Sequence, residues 1–387
     1  MRKFICIFLS IAMVFTCMIF SSSAQSTDNV QLQPMPTDTS LYISTEACPD
    51  AYINYVNQNV HRFIESVSFT ELIPGDTLTV GAPFAFSNEG SDIYYFPILR
   101  GSEILYTFRV FPVGDGEYSG ILGRSFVDEL NALSATTSAA TPLRMVMEGD
   151  TVVTYVGNTR SVIFEYPDGT FAEENTALTT ATATLTTATQ TVVNATAPSA
   201  EVAYTYTVPM AEMRGVIAPP VIWSLDTTKE QQGSRPWCDA YVTAAIIRCV
   251  TGNSNYPLAR NIAEYIQGAY AVDESANLDR SQVHAYANLF GIYPSYEGYM
   301  TYNELKNELD SVAPVYASFA EVGSTDSNHA LAIYGYYESG VFRQLYIWNP
   351  WYPYGETWDY GTTYVAVGSS TSRSFTYSFA FNNWDIE

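Results

Sequence analysis

In the stretch "QQGSRPWCDAYVTAAIIRCV", residues 231–250, a cysteine directly follows a tryptophan where a Gly/Ser/Pro loop becomes an apolar run. A thiol does nucleophilic chemistry when it is ionised, held near a base and faced by donors for an oxyanion. Cys238 opens the helical pattern Tyr241, Ala244, Ala245, Ile247. A helix N-terminus presents free N–H groups and partial positive charge, which favour thiolate over thiol. Cys238 is therefore the candidate nucleophile.

A base must come from three histidines. His61 sits among the apolar positions of a helical pattern. His284, between Val283 and Ala285 on another, is expected at the surface or half-buried. His329 follows the polar "GSTDSN" and opens the strand pattern "ALAIYGYY". A histidine at such a junction faces a cleft while the strand behind it is buried, so His329 is the candidate base. Twenty residues on, "LYIW" ends in Asn349-Pro350-Trp351. If 330–337 and 343–348 form a hairpin, His329 and Asn349 are cross-strand neighbours, the amide oxygen within reach of the ring N–H and Trp351 covering the bond. Gln232, six positions before Cys238 across "GSRPW", offers with the Cys238 N–H an oxyanion hole. Gln231 takes that place if the loop shifts by one residue; the spacing favours Gln232. Asp239 follows the nucleophile directly. Its carboxylate suits the first turn of a helix, yet as a like charge it opposes a thiolate.

These residues need elements to hold them. Residues 217–387 begin with helical patterns at 238–251, 257–271, 279–290 and 301–310 and end in strand patterns such as "PVYASFAEV", "HALAIYGYYES" and "FRQLYIWNP". Helices followed by an antiparallel sheet predict an α+β arrangement. Upstream, Tyr52, Val56, Val60, Phe63, Ile64 and Val67 recur at helical spacing over 48–67, and short β-branched and aromatic runs fill 69–166. That region reads as one N-terminal helix followed by a curled antiparallel sheet. Between the halves, residues 172–200 are nearly all Ala, Thr and other small residues, too little bulk for a core, and read as a protease-accessible linker.

Arg2 and Lys3 precede an apolar run from Phe4 to about Phe20, and Ser22-Ser23-Ala24 offers a small-residue cleavage site. This predicts a signal peptide over 1–24 and a secreted, extracellular product, with no membrane association after its removal. Cys6 and Cys17 leave with it; Cys48, Cys238 and Cys249 remain, an odd number that no disulfide framework uses entirely. Cys238 and Cys249, eleven apart on one helix, are separated by roughly 16 Å of rise, too far for a bridge. Cys249 is expected as a buried helix residue. The chain has 17 Lys+Arg against 40 Asp+Glu, spread over both halves, which argues against nucleic acid as a partner. With no paired CxxC or clustered His, neither metal nor cofactor is expected.

"QGSRPWC", "NHALAIYG" and "IWNPW", in that order, resemble the papain-like cysteine peptidases, above all the secreted bacterial staphopain type. The resemblance covers about residues 225–360 and is specific as a combination, each piece alone being weak. It implies Cys238 as nucleophile, His329 as base and then acid, Asn349 as orienter and Gln232 as oxyanion donor. It also implies a papain-like catalytic domain over 217–387, a mostly β propeptide domain over 25–171 acting as intramolecular inhibitor, an activation segment over 172–216, and protein or peptide substrates. A small residue stands in such relatives where this chain has Asp239. Two rival readings accompany it: a papain-fold acyl transferase or cell-wall amidase using the same Cys-His pair, and a non-catalytic secreted binding protein whose 30 Tyr and 20 Phe line a recognition surface. The aromatic richness is equally that of β-sheet cores.

Overall fold

Among the described residues there are two β-sheets, and the larger runs through both halves of the chain. The computed structural model describes residues 41–165, 189–193, 205–207, 220–322, 328–361, 364–366 and 374–386, apart from short loop positions within these ranges. The expected signal peptide and most of 172–216 lie outside the described residues. The first half contributes β1 (Leu41–Thr45), α1 (Asp50–Ser68), β2 (Thr77–Val80), β3 (Tyr94–Arg100), β4 (Glu103–Gly114), β5 (Glu117–Gly123), α2 (Val127–Leu133), β6 (Leu143–Glu148), β7 (Thr151–Val156) and β8 (Thr159–Glu165). Then come β9 (Thr189–Val193), β10 (Thr205–Thr207) and β11 (Val221–Ile222). The second half holds α3 (Cys238–Thr251), α4 (Ala259–Gln267), α5 (Arg280–Ala285), β12 (Ser295–Gly298) and α6 (Tyr302–Ser311). It ends with β13 (Val315–Glu321), β14 (Asn328–Ser339), β15 (Phe342–Trp348), β16 (Gly355–Asp359), β17 (Tyr364–Ala366) and β18 (Ser374–Asn382). The fold is α+β, with six α-helices among the described residues.

The smaller sheet has the order β8-β7-β6-β1-β9. The larger, thirteen-stranded and antiparallel, runs β10-β2-β3-β4-β5-β16-β15-β14-β13-β18-β12, with β11 added on β14 and β17 on β18. Two features differ from the sequence expectation. The strands of 69–166 are divided between the sheets, because "FVDELNALSATTSAATP" carries the chain away from the β2–β5 meander through α2, a helix of seven residues that is too short to show a period. The segment 172–216 also supplies two strands, β9 from its Ala/Thr-rich part on β1 and β10 beyond that part on β2, where β-branched Thr and Val suit an edge.

Helix α1 lays Tyr52, Val56, Val60, Phe63, Ile64 and Val67 on Phe96, Phe108 and Leu122 of the meander. Helix α3 is apolar almost all round, and its Ala240–Ile247 stretch is buried with Ile262 and Ala263 of α4, Val283 of α5 and Trp348 and Trp384. A helix of that kind belongs in a core. It packs against β13 and β14 of the sheet, and its first turn is bonded there through the Cys238 thiol and the Ala330 amide. No helix among the described residues is long and apolar enough to cross a membrane.

The halves meet where β5 pairs with β16, Leu122 opposite Thr357 and Ile121 opposite Trp358. Two carboxylates of β16 reach into the first half. Glu356 pairs with Arg109 of β4 at 3.4 Å, both side chains almost wholly buried, and accepts the Trp358 indole N–H at 3.2 Å. Gly123 leaves room for it: a Cβ there would stand 3.0 Å from Glu356 Cγ. Asp359 pairs with Arg62 of α1, and Tyr346 donates to the Ser66 carbonyl at 2.9 Å. Burial raises the Glu356 carboxyl and pushes Asp359 up to about 6, against the pull of Arg109 and Arg62. A carboxyl raised in the folded state binds its proton more tightly there than in the unfolded chain. It therefore contributes stability that is full below the unfolded value and lost as pH rises through the folded one. Thermal melts of wild type and Asp359→Asn between about pH 4 and pH 7 test this. The wild-type Tm should fall more steeply with rising pH than that of the variant; parallel curves would show that Asp359 titrates as an exposed carboxylate.

Candidate active site

Cys238 is the first residue of α3, and Trp237 before it is buried with its indole N–H on the Ala276 carbonyl at 2.9 Å. That anchor sets where the helix starts. Gly252, at φ +66, ends it with the left-handed turn that favours glycine. As the first helical residue, Cys238 has an N–H with no intrahelical acceptor. The half-buried thiol takes hydrogen bonds from the Ala330 and Asp239 amides. Burial and then the Asp239 charge push it up to about 12, while the Ala330 amide, the Arg280 guanidinium and the Asp239 amide pull it down. The Ala330 contact matters for another reason: it puts the sulfur against the strand position next to His329.

His329 is buried near the start of β14, and its Nε2 lies 2.8 Å from Asn349 Oδ1. A carboxamide oxygen can only accept, so Nε2 carries the proton. The same oxygen accepts the Trp351 backbone N–H at 3.0 Å, which fixes which end of the amide faces the ring. In that tautomer Nδ1 carries the lone pair, the form that can take and return a proton. The Trp351 ring lies on the imidazole at 3.9 Å and 21°, with Phe375 at 5.8 Å on another side. The expected hairpin is present, but the β14–β15 ladder ends at Ala332 opposite Trp348. His329 and Asn349 meet past that end, because the turn closed by Tyr352 N–H on the Asn349 carbonyl folds Asn349 back toward β14.

The glutamine loop is fastened to the same turn. Gln232 N–H donates to the Pro350 carbonyl at 2.9 Å and Gln231 Nε2 to the Trp351 carbonyl at 2.7 Å. Gln231 is exposed and spends its amide on that carbonyl; Gln232 is buried. One N–H of its carboxamide is used on the Arg235 carbonyl at 2.6 Å, and the second remains for another acceptor. Of the four residues expected from the sequence, His329 and Asn349 meet directly, Gln232 is bonded by its backbone at Pro350 next to Asn349, and Cys238 takes the Ala330 amide next to His329; burial separates Gln232 from Gln231.

Glu230, at the head of the loop, belongs to no motif of the sequence. It binds Arg248 on α3 at 2.8 Å and accepts the Ala259 N–H that opens α4. Arg248 also donates to the Pro257 carbonyl at 2.7 Å. An arginine inside "AAIIRCV" was the available signal, because a buried guanidinium needs a carboxylate. His284 differs from expectation: it is buried, ring against ring with Tyr316 at 4.5 Å and Phe381 at 4.1 Å, because α5 packs onto β13 and β18. Burial and then Arg280 push it down to about 3, so it is a neutral core ring. Cys249 is half-buried rather than buried, its thiol raised to about 11 by burial, and Cys48, Cys238 and Cys249 form no disulfide.

The arrangement offers a thiol, an imidazole with its proton held on Nε2, and amide donors beside the sulfur, the set that acyl transfer uses. In comparisons with family models and with curated proteins, no match to the chain is found. Glu230→Ala would strand Arg248, whose side chain is 2% exposed. Urea unfolding should register a loss of about 3–5 kcal/mol. A loss below about 1 kcal/mol would mean that the loop is held by its bonds to Pro350 and Trp351 alone.

Proposed function

We propose that this chain is a secreted papain-like cysteine peptidase made as a zymogen, with a catalytic domain over 217–387 and a propeptide over 25–171. The observation that carries the reading is the shielded His329–Asn349 bond beside a helix-initiating cysteine. A buried imidazole held in one tautomer by an oxygen with both lone pairs engaged is a costly arrangement for mere packing, and a useful one for proton transfer.

In the reaction, Nδ1 of His329 takes the Cys238 proton as the sulfur forms a bond to the carbonyl carbon of the substrate. Negative charge on the carbonyl oxygen is met by the Cys238 N–H and the second N–H of Gln232. The imidazolium returns its proton to the amine as the C–N bond breaks, leaving a thioester. Water then attacks, His329 takes its proton, the C–S bond breaks, and the acid leaves as thiol and imidazole are restored. The raised thiol means that the sulfur at rest is protonated, so ionisation depends on His329 accepting that proton.

The zymogen reading is supported by the junction between the halves. Phe164 of β8 packs on Tyr352, three residues past Asn349, at 5.4 Å, and the two buried ion pairs hold β16 to the first half. Cleavage in 172–216 would sever the covalent link and leave those contacts to hold the pieces.

Cys238→Ala should abolish peptide hydrolysis with the fold intact, while Cys48→Ala and Cys249→Ala retain it; wild-type turnover by Cys238→Ala would end the assignment. Gln232→Ala should cut the peptidase rate by about a hundredfold or more, the usual cost of one oxyanion donor, with Cys238 alkylation nearly unchanged. Loss of rate in Gln231→Ala and not in Gln232→Ala would move the donor by one residue. Limited proteolysis within 172–216 should raise activity on a small peptide. An uncut chain as active as the cut one would refute the zymogen.

A further inference from the structure

The residue after the nucleophile is a carboxylate, and it is heavily engaged. Asp239 accepts the Tyr316 hydroxyl from β13 and pairs with Arg280 Nε of α5 at 3.3 Å. Arg280 is held in turn, its guanidinium 4.9 Å from the centroid of the Phe379 ring on β18. The Asp239 side chain is 15% exposed and that of Arg280 30%. Asp239 Oδ1 and Oδ2 are thus divided between a neutral donor and a cation.

We infer that Arg280 is a positioning residue for Cys238, which compensates the Asp239 carboxylate so that the neighbouring thiolate forms beside a neutralised charge. The inference rests on the peptidase reading for its use, since a resting thiol needs no such compensation. An uncompensated carboxylate one residue away would oppose the thiolate; removing it would make the first turn less acidic and free its ties to α5 and β13. The pair keeps both the ties and the thiolate. Four elements present charged or titratable groups here: Asp239 on α3 itself, Arg280 and His284 on α5, Tyr316 on β13, and His329 on β14 with the Ala330 amide. His284 stays neutral beside Tyr316, and burial raises the Tyr316 hydroxyl, which leaves the Asp239–Arg280 ion pair next to the thiol. The charge of Arg280 lowers the thiol and that of Asp239 raises it, in keeping with the geometry.

The test is the rate of iodoacetamide alkylation at Cys238 in the full-length chain, mapped by mass spectrometry at one pH below the thiol midpoint. There the rate follows the thiolate fraction, so a shift of about one pH unit reads as tenfold. Arg280→Gln should slow alkylation by about tenfold and Asp239→Asn should speed it by a similar factor. The double variant should return to within about twofold of wild type, a rescue that a merely structural role for Arg280 would not produce. An unchanged rate in Arg280→Gln, or a double variant as slow as the single, overturns the inference. If Arg280→Gln does not fold, Asp239→Asn decides alone: an unchanged or slower rate overturns it. Peptide hydrolysis by the wild-type chain, cut within 172–216, separates the two readings. Hydrolysis without the alkylation pattern leaves the peptidase standing and this inference fallen. The pattern without hydrolysis does the reverse.

Discussion

A carboxamide oxygen has two lone pairs, and at Asn349 both are committed in a site closed to water. One accepts the Trp351 amide, the other the His329 ring. The first bond pins the side chain inside the turn that the Tyr352 N–H closes on the Asn349 carbonyl, and that turn offers the Pro350 and Trp351 carbonyls to which the glutamine loop is fastened. The second bond selects a tautomer. One atom therefore couples the shape of a turn, the position of a loop and the state of an imidazole, and the remainder of the site is arranged around it. Trp351 adds the cover that keeps the bond from being exchanged for water, where it would be worth far less.

Around that centre the protein repeatedly uses paired charges with little exposure. Glu230 with Arg248 fixes the loop before the nucleophile, Asp239 with Arg280 lies directly after it, and Arg62 and Arg109 meet Asp359 and Glu356 at the junction of the halves. Burying such pairs costs desolvation that their attraction only partly offsets, so they do little for net stability. They are strict about geometry instead, since a displaced partner leaves a bare charge in the core. With 17 basic residues in the chain, committing five arginines to these contacts and to Arg235–Glu274 beside the loop is a large share. The junction pairs also differ from a covalent joint in kind: they hold the halves together through groups whose charge depends on pH.

Local pattern was enough for most elements. The four helical patterns of the second half correspond to α3, α4, α5 with the 3-10 turn Tyr286–Phe290, and α6, because their apolar stripes have one period and clear ends. The hairpin of β14 and β15 was legible from two apolar runs around a Gly turn. What escaped was short or non-local: α2, with fewer than two turns to show a period, and the β5–β16 pairing, which joins residues more than two hundred positions apart with no turn to announce it. The segment 172–216 escaped for a different reason, since strands on a sheet edge need little bulk of their own.

At the site, the chain by itself determined the chemical types. A cysteine at a helix start, one histidine heading a strand, an Asn-Pro-Trp turn and two adjacent glutamines can be read without coordinates, as each is a local pattern. Which glutamine is buried, which imidazole nitrogen carries the proton, and what surrounds Asp239 were decided by the tertiary structure. Each depends on groups from distant elements: Pro350 and Trp351 against the loop, Asn349 against His329, Arg280 and Tyr316 against Asp239. Hydrogen bonds and ion pairs are directional and act over a few ångströms, so their partners are fixed by packing, and sequence separation carries no record of them.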